Sequence, residues 1–134
     1  MTKKHLFEQV GELLTLWKER LLPHWTITYD VVPQHKLEGM RNAWAVTNVM
    51  GGERRAHVVV AGDLPWGEGV FDLEQTIVHE VVHAISAECG TLLREDTLRP
   101  FVPTVVWDTL DRIQEVLVDR IANELIRAYG SATT

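Results

Sequence analysis

The spacing of apolar residues along the chain predicts an N-terminal helix followed by three strands. In residues 3–22, apolar side chains recur every three or four positions, which is typical of an amphipathic helix, and Pro23 ends the pattern. Three later segments are rich in β-branched and aromatic residues and are predicted to be strands: 25–32, 43–50 and 55–61. The paired glycines Gly51 and Gly52, between the second and third segments, suit a hairpin turn.

Two longer helices are predicted in the second half of the chain. Asp72 is a candidate N-cap with Gln75 three residues later, as in a capping box, and this helix would end near Gly90. The last helix is predicted over residues 104–129, with Gly130 as its C-cap. One helix, three strands and two helices predict an α+β fold, with a small, mainly antiparallel three-stranded sheet packed on the helices.

The length and composition are those of a single globular domain. The chain has 134 residues, 46% of them hydrophobic and 24% charged, so we expect one domain over 1–134 with a disordered tail at 131–134. The 13 Lys and Arg residues against 19 Asp and Glu give a net charge of −6, which argues against a nucleic-acid partner. The apolar runs are too short to span a membrane, so no membrane partner is expected.

The N-terminal segment and the single cysteine favour a cytoplasmic protein. Two lysines near the start resemble the beginning of a signal peptide, but Glu8 and Glu12 interrupt the apolar core that such a peptide needs. Cys89 is the one cysteine of the chain. It excludes an intrachain disulfide and is compatible with a reducing compartment.

The strongest chemical signal is the H-E-x-x-H pattern at residues 79–83, inside the first of the two later helices. His79 and His83 lie about one turn apart on one face, where both imidazoles can reach one Zn²⁺. Glu80 lies about 100° further around the helix, so its carboxylate can act as general base on a water at the metal without binding the metal. The alternative is a pair of hydrogen-bonded histidines on a buried helix.

A catalytic zinc site of this kind needs a third protein ligand. The last helix offers Glu115 and Asp119, which share a face because they are four residues apart, and most of their neighbours are apolar. Burying two carboxylates in so apolar a helix is unfavourable unless they are paired or bound to a cation. In the alternative interpretation, both acids face solvent with Arg112 and Arg120 as surface partners.

H-E-x-x-H followed, 32 residues after its second histidine, by E-x-x-x-D on a helix resembles the gluzincin group of zinc metallopeptidases, which includes the thermolysin-like enzymes. The resemblance covers residues 43–129 and rests on the two motifs. In size the chain is nearer to the small single-domain gluzincin-like proteins of prokaryotes and their phages. The resemblance implies a zincin-like fold with Glu115 as third zinc ligand and Asp119 as the acceptor that orients a ligand histidine. It also implies that Arg55–Ala61 is an edge strand that binds the peptide substrate.

Two other zincin classes fit the sequence less well. The metzincin pattern needs glycine at position 86 and histidine at position 89, where this chain has Ser86 and Cys89. Cys89 is an alternative third ligand, since thiolates bind zinc well. The other interpretation of Cys89 is a small buried residue. An aspzincin would have aspartate at position 94, where this chain has Arg94.

Attack of water on a peptide carbonyl gives a tetrahedral oxyanion. The sequence does not identify the residues that would stabilise this oxyanion or bind the substrate. The tyrosine and histidine that do so in larger gluzincins have no aligned equivalents here. His57, Tyr129 and Arg94 are alternative donors, each of which could instead be structural. Trp66, in a loop before the H-E-x-x-H helix, could line the cleft or belong to the core.

The sequence favours a zinc-dependent metallopeptidase that hydrolyses a peptide or protein substrate with Glu80 as general base. One alternative is a zinc-binding regulatory or interaction module on the same scaffold with little catalysis. Another is a regulatory protease of a mobile element, dedicated to one partner. Zinc is the default ion for two histidines and a carboxylate, although other divalent ions bind such sites.

Overall fold

The computed structural model describes residues 2–37, 43–50, 53–94 and 104–132. It describes the side chains of all these residues except 87–94 and 104–111. This part of the chain forms an α+β fold, as predicted. The elements are α1 (Lys3–Leu21), β1 (Thr26–Val32), a short 3-10 helix (Gln34–Lys36), β2 (Ala45–Met50), β3 (Arg55–Ala61), α2 (Leu73–Arg94) and α3 (Thr104–Tyr129). Over the described residues, none of these helices has both the length and the apolar content needed to cross a membrane.

The start of α2 follows the predicted capping signal in part. Asp72 caps the helix, since its Oδ1 accepts a hydrogen bond from the Gln75 N–H at 3.1 Å. The Gln75 side chain does not return to Asp72, as a capping box requires, but donates to Asp119 on α3. α2 continues through Gly90 to Arg94, because a glycine inside a helix costs only about 1 kcal/mol relative to alanine and does not by itself stop it.

The three strands form a mixed sheet in the order β1-β3-β2. β2 and β3 are antiparallel, whereas β1 runs parallel to β3, so the prediction of a mainly antiparallel sheet is wrong for one of the two pairings. The prediction that Arg55–Ala61 is an edge strand is also wrong, because β3 is central and β2 lies at an edge. Alternation of apolar and polar residues specifies which face of a strand is buried, but it does not specify the neighbouring strand.

One face of the sheet packs on the helices, and the other is more exposed. Along β3, Ala56, Val58 and Val60 are buried, whereas His57 and Val59 between them are half-buried. α1 contacts β1 and α2 contacts β2. The largest fully buried side chains come from the helices and β3: Val10, Trp17, Val58, Val60, Ile77, Val78, Val81, Val82 and Val118. This core fixes α2 against the sheet and leaves another face of α2 for α3.

The residues after α3 are fastened to α1 and α2 by a buried carboxylate. Glu74, at the start of α2, accepts hydrogen bonds from the Trp17 indole at 3.0 Å and from the Ala132 N–H at 2.8 Å. It also accepts one from the Ser131 hydroxyl. Of the four residues for which a disordered tail is predicted, Ser131 and Ala132 thus hydrogen-bond to Glu74, and residues 133–134 lie outside the described residues.

Candidate metal centre

Two histidine rings of α2 lie next to each other at the surface of the helix that faces α3. The ring centroids of His79 and His83 are 4.8 Å apart, and their Nε2 atoms are 3.1 Å apart. The two side chains are 17% and 23% exposed. Other faces of α2 are held in the core by Val78, Val81 and Val82, so the rings project from a fixed backbone.

α3 brings the carboxylate of Glu115 to both rings. Its Oε2 lies 3.1 Å from Nε2 of His79, and its Oε1 lies 2.9 Å from Nε2 of His83. The three candidate ligand atoms all lie within 4.8 Å of one another. Ligands at about 2.0–2.1 Å from a tetrahedral zinc are about 3.3 Å apart, so the observed spacing fits such an ion. These three residues could therefore hold a metal at the point between their ligand atoms (the metal position).

Asp119, one turn further along α3, is placed to orient His79. Its Oδ1 lies 3.1 Å from Nδ1 of His79 and accepts a hydrogen bond from Nε2 of Gln75 at 2.7 Å. An acceptor beside Nδ1 keeps the ring proton there, which leaves the lone pair of Nε2 free to bind a metal. The sequence assigns Gln75 to helix capping. Its position one turn before His79, on the same face of α2, is the signal for this second role.

The carboxylate of Glu80 lies beside the cluster and is not one of its three candidate ligands. The residue is 5% exposed, and its Oε1 accepts a hydrogen bond from the Thr47 hydroxyl at 3.0 Å. Its Oε2 lies 4.0 Å from Nε2 of His79. A carboxylate at this distance can reach a water at the metal position by a hydrogen bond without occupying a ligand position.

Burial changes the proton affinity of two groups at the site. It raises the pKa of Glu80 from 4.5 to about 7, and the opposing effects of His79 and Thr47 reduce this rise only in part. Burial also lowers the pKa of His83, against the opposing effect of Glu115. A carboxylate with a pKa near neutrality is suited to accept and return protons, and the neutral imidazole is the form that binds a metal.

Thr47 is a site residue that the sequence pattern does not reveal. It lies on β2, 33 residues before Glu80 in the chain, and reaches Glu80 because β2 packs beside α2. No motif links the two positions. Their contact depends on the order of the strands, which the sequence pattern leaves open.

His57 and Tyr129 lie away from the cluster. His57 projects from the sheet face opposite the helices, where its Nδ1 is 2.7 Å from the Thr28 hydroxyl. Tyr129 ends α3, about 15 Å beyond Asp119 at 1.5 Å per residue, and its ring packs edge-on against Trp17. Neither residue is thus among the side chains that contact His79, His83 or Glu115, where the sequence offers them as oxyanion donors.

Trp66 belongs to the core rather than to a cleft. It is 8% exposed, its Nε1 donates to the Ala61 carbonyl at 2.7 Å, and its ring packs at right angles against Trp44. Of the two interpretations that the sequence leaves open, this placement agrees with the core residue. The side chains of Cys89 and Arg94, which the sequence offers as a ligand and as an oxyanion donor, lie outside the described side chains.

Comparison with protein-family models, with curated proteins and with solved structures finds no match for this chain. Its function must be inferred from the side chains themselves. These are two imidazoles and one exposed carboxylate that converge, with a second, buried carboxylate beside them.

Proposed function

We propose that the protein is a zinc-dependent peptidase. One observation carries the proposal: His79, His83 and Glu115 direct three ligand atoms at one point, and the buried carboxylate of Glu80 lies beside them. Two histidines and a glutamate are a ligand set of hydrolytic zinc enzymes, and a carboxylate outside that set supplies the base that hydrolysis needs. The resemblance of the two sequence motifs to those of gluzincins supports the same function.

Each residue of the site would have a separate role in hydrolysis. When bound, zinc would polarise the scissile carbonyl and lower the pKa of the attacking water. Glu80 takes the proton of that water at Oε2, since Oε1 is held by Thr47. A pKa near 7 lets Glu80 accept this proton and then return it to the leaving amine. Asp119 keeps the His79 ring in one orientation, so that Nε2 stays directed at the metal position.

The outer edge of β2 offers a way to bind an extended peptide. Within the described residues, no strand pairs with this edge. A peptide could add to it as a further strand, with main-chain hydrogen bonds that hold it whatever its sequence. Because β2 packs beside α2 and Thr47 contacts Glu80, a peptide on this edge would pass close to the metal position. The substrate-binding role that the resemblance implies for β3 is thus proposed for β2.

A zinc-binding module with little catalysis is the second candidate function. It is favoured by the positions of His57, Tyr129 and Trp66, since none of these expected donors or substrate contacts reaches the cluster. Such a module would bind zinc through the same three residues and would bind its partner without cleaving it. A protease dedicated to one partner would bind zinc in the same way and cleave that partner alone.

A peptide-mixture assay tests the peptidase function. Purified protein with one equivalent of zinc is incubated with a broad mixture of fluorogenic peptides, with and without EDTA. We expect turnover that EDTA abolishes and that Glu80→Gln lowers by about 10²–10⁴-fold, because the general base is lost. Glu74→Gln replaces an equally buried acid of the same helix and is the matched control, with wild-type kcat and zinc content.

Four outcomes of this assay test the candidates. Full activity of Glu80→Gln, or turnover that EDTA leaves unchanged, would contradict the mechanism. Zinc binding without cleavage of any peptide would contradict a peptidase of broad specificity and would favour the module or a protease dedicated to one partner. Loss of zinc from Glu80→Gln would show that Glu80 is a ligand rather than the base.

A further inference from the structure

The side chain of Thr47 connects the edge of the sheet to Glu80. Its register partner on β3 is Val58, whose buried side chain lies on the helix-covered face, so the Thr47 side chain points to the same face. There its hydroxyl donates to Oε1 of Glu80 at 3.0 Å, while Oε2 lies 4.0 Å from Nε2 of His79. One carboxylate oxygen is thus anchored to β2, and the other faces the metal position.

The main chain of Thr47 faces the free edge of the sheet. Along an antiparallel strand, the N–H and C=O groups of successive residues alternate between the partner strand and the opposite side. The Trp44 carbonyl accepts a hydrogen bond from the Ala61 N–H at 2.9 Å, so Trp44 and every second residue after it face β3. The main-chain groups of Ala45, Thr47 and Val49 therefore point outward, where a bound peptide could pair with them.

We propose that Thr47 is a positioning residue that holds Glu80 in place relative to a peptide bound along β2. The inference rests on the proposed peptidase function. A glutamate side chain can adopt several rotamers, and the hydrogen bond to Oε1 selects one in which Oε2 faces the attacking water. A peptide paired with the main chain of Thr47 would fix that strand, and through the hydroxyl the base, relative to the same scissile bond.

This arrangement separates substrate binding from the chemical step. Peptide pairing uses the main chain of Thr47, so loss of its hydroxyl should leave KM nearly unchanged. The hydroxyl acts on Glu80, so its loss should lower kcat, because a displacement of about 1 Å at a reacting group can reduce the rate by about a hundredfold. A threonine with a purely structural role would affect stability and leave the kcat of the folded protein unchanged.

Substitutions at Thr47 test the proposal in steady-state assays of the zinc-loaded protein with a cleaved peptide. Thr47→Val keeps the shape and removes the hydroxyl, and we expect kcat to fall by about 10- to 100-fold with KM within about twofold. Thr47→Ser restores the hydroxyl and should bring kcat back to within about threefold of wild type. Thr28→Val is the matched control, because the Thr28 hydroxyl contacts His57 on the other face of the sheet, and it should keep wild-type values.

Two measurements report on the same contact without turnover. The first is the Tm of the zinc-free protein in thermal unfolding. Thr47→Val and Glu80→Ala remove the same hydrogen bond, so the decrease in Tm of the double variant should be smaller than the sum of the two single decreases. The zinc dissociation constant of Thr47→Val, measured by competition with a chelator, should equal that of the wild type, since the hydroxyl bonds Glu80 rather than a candidate ligand.

The outcomes separate failure of this inference from failure of the proposed function. Wild-type kcat in Thr47→Val, no recovery in Thr47→Ser, or additive decreases in Tm would each overturn the role of Thr47 and leave the peptidase function standing. A wild-type protein that cleaves none of the peptides would overturn the proposed peptidase that binds peptides along β2 whatever their sequence, and the role of Thr47 with it.

Discussion

Two glutamates of α2, Glu74 and Glu80, are equally buried, with 5% of each residue exposed, but their surroundings differ. Glu74 accepts hydrogen bonds from the Trp17 indole and from two residues of the C-terminal tail. Glu80 accepts a hydrogen bond from Thr47, and burial raises its pKa to about 7. The first carboxylate joins three parts of the fold, and the second lies beside a cluster of potential metal ligands.

The number of hydrogen-bond donors around each carboxylate distinguishes a structural acid from one suited to proton transfer. A buried carboxylate whose oxygens are occupied by several donors holds in place the segments that donate to it. A carboxylate that is buried with fewer donors favours its protonated form, which brings its pKa towards the working range of a general base. Both residues lie in one helix, so it is the neighbours from other elements that give each of them its role.

The largest change in stability is expected when Glu74 loses its carboxylate. Glu74→Ala leaves the Trp17 indole and the Ala132 N–H without their acceptor, so the free energy of unfolding should fall by about 4 kcal/mol. Chemical denaturation of the zinc-free protein measures this value. Glu12→Ala, at an exposed acid on α1, is the control and should change stability by less than about 0.5 kcal/mol. A loss below about 1 kcal/mol in Glu74→Ala would remove the distinction between the two acids.

A somewhat smaller effect is expected from the pH dependence of the zinc-free protein. The pKa of Glu80 is higher in the folded state, at about 7, than its ordinary 4.5, so the folded state binds this proton more tightly. The stability contributed by the proton, about 3 kcal/mol, is present below about pH 4.5 and lost as the pH rises to about 7.

Comparison with Glu80→Gln isolates this effect. His83, whose pKa burial lowers, contributes in the opposite direction and is present in both proteins. Relative to Glu80→Gln, the wild type should therefore lose stability between about pH 4.5 and about pH 7 in denaturation series. A constant difference between the two proteins over this range would show that the pKa of Glu80 is not raised.

The helices and the pairs of residues within each helix could be predicted because both depend on local spacing. Four-residue spacing is sufficient to place His79 near His83, and Glu115 on the same face as Asp119. Spacing does not say that these two faces meet. That expectation comes from the resemblance to gluzincins, and the packing of α3 on α2 brings the four side chains together.

The pairing of β1, the contact between Thr47 and Glu80 and the hydrogen bonds of Ser131 could not be predicted because they depend on contacts between distant segments. The paired glycines predict that β2 lies beside β3, as it does, but nothing in the sequence pattern says that β1 pairs with the other edge of β3. Thr47 and Glu80 meet as a consequence of the strand order. Residues 131–134 are small and polar, as in a frayed chain end. Ser131 contacts Glu74 because the end of α3 lies beside the start of α2.

Zinc binding by Glu115→Gln tests the metal centre most directly, with Glu124→Gln, at an exposed acid on the same helix, as the control. Competition titration with a chelator is expected to give one zinc per wild-type chain. The affinity should fall by about a hundredfold or more in Glu115→Gln, because a metal ligand is lost, and stay unchanged in Glu124→Gln. Equal affinity in all three proteins, or a wild-type protein that binds no zinc, would contradict a metal centre built from His79, His83 and Glu115.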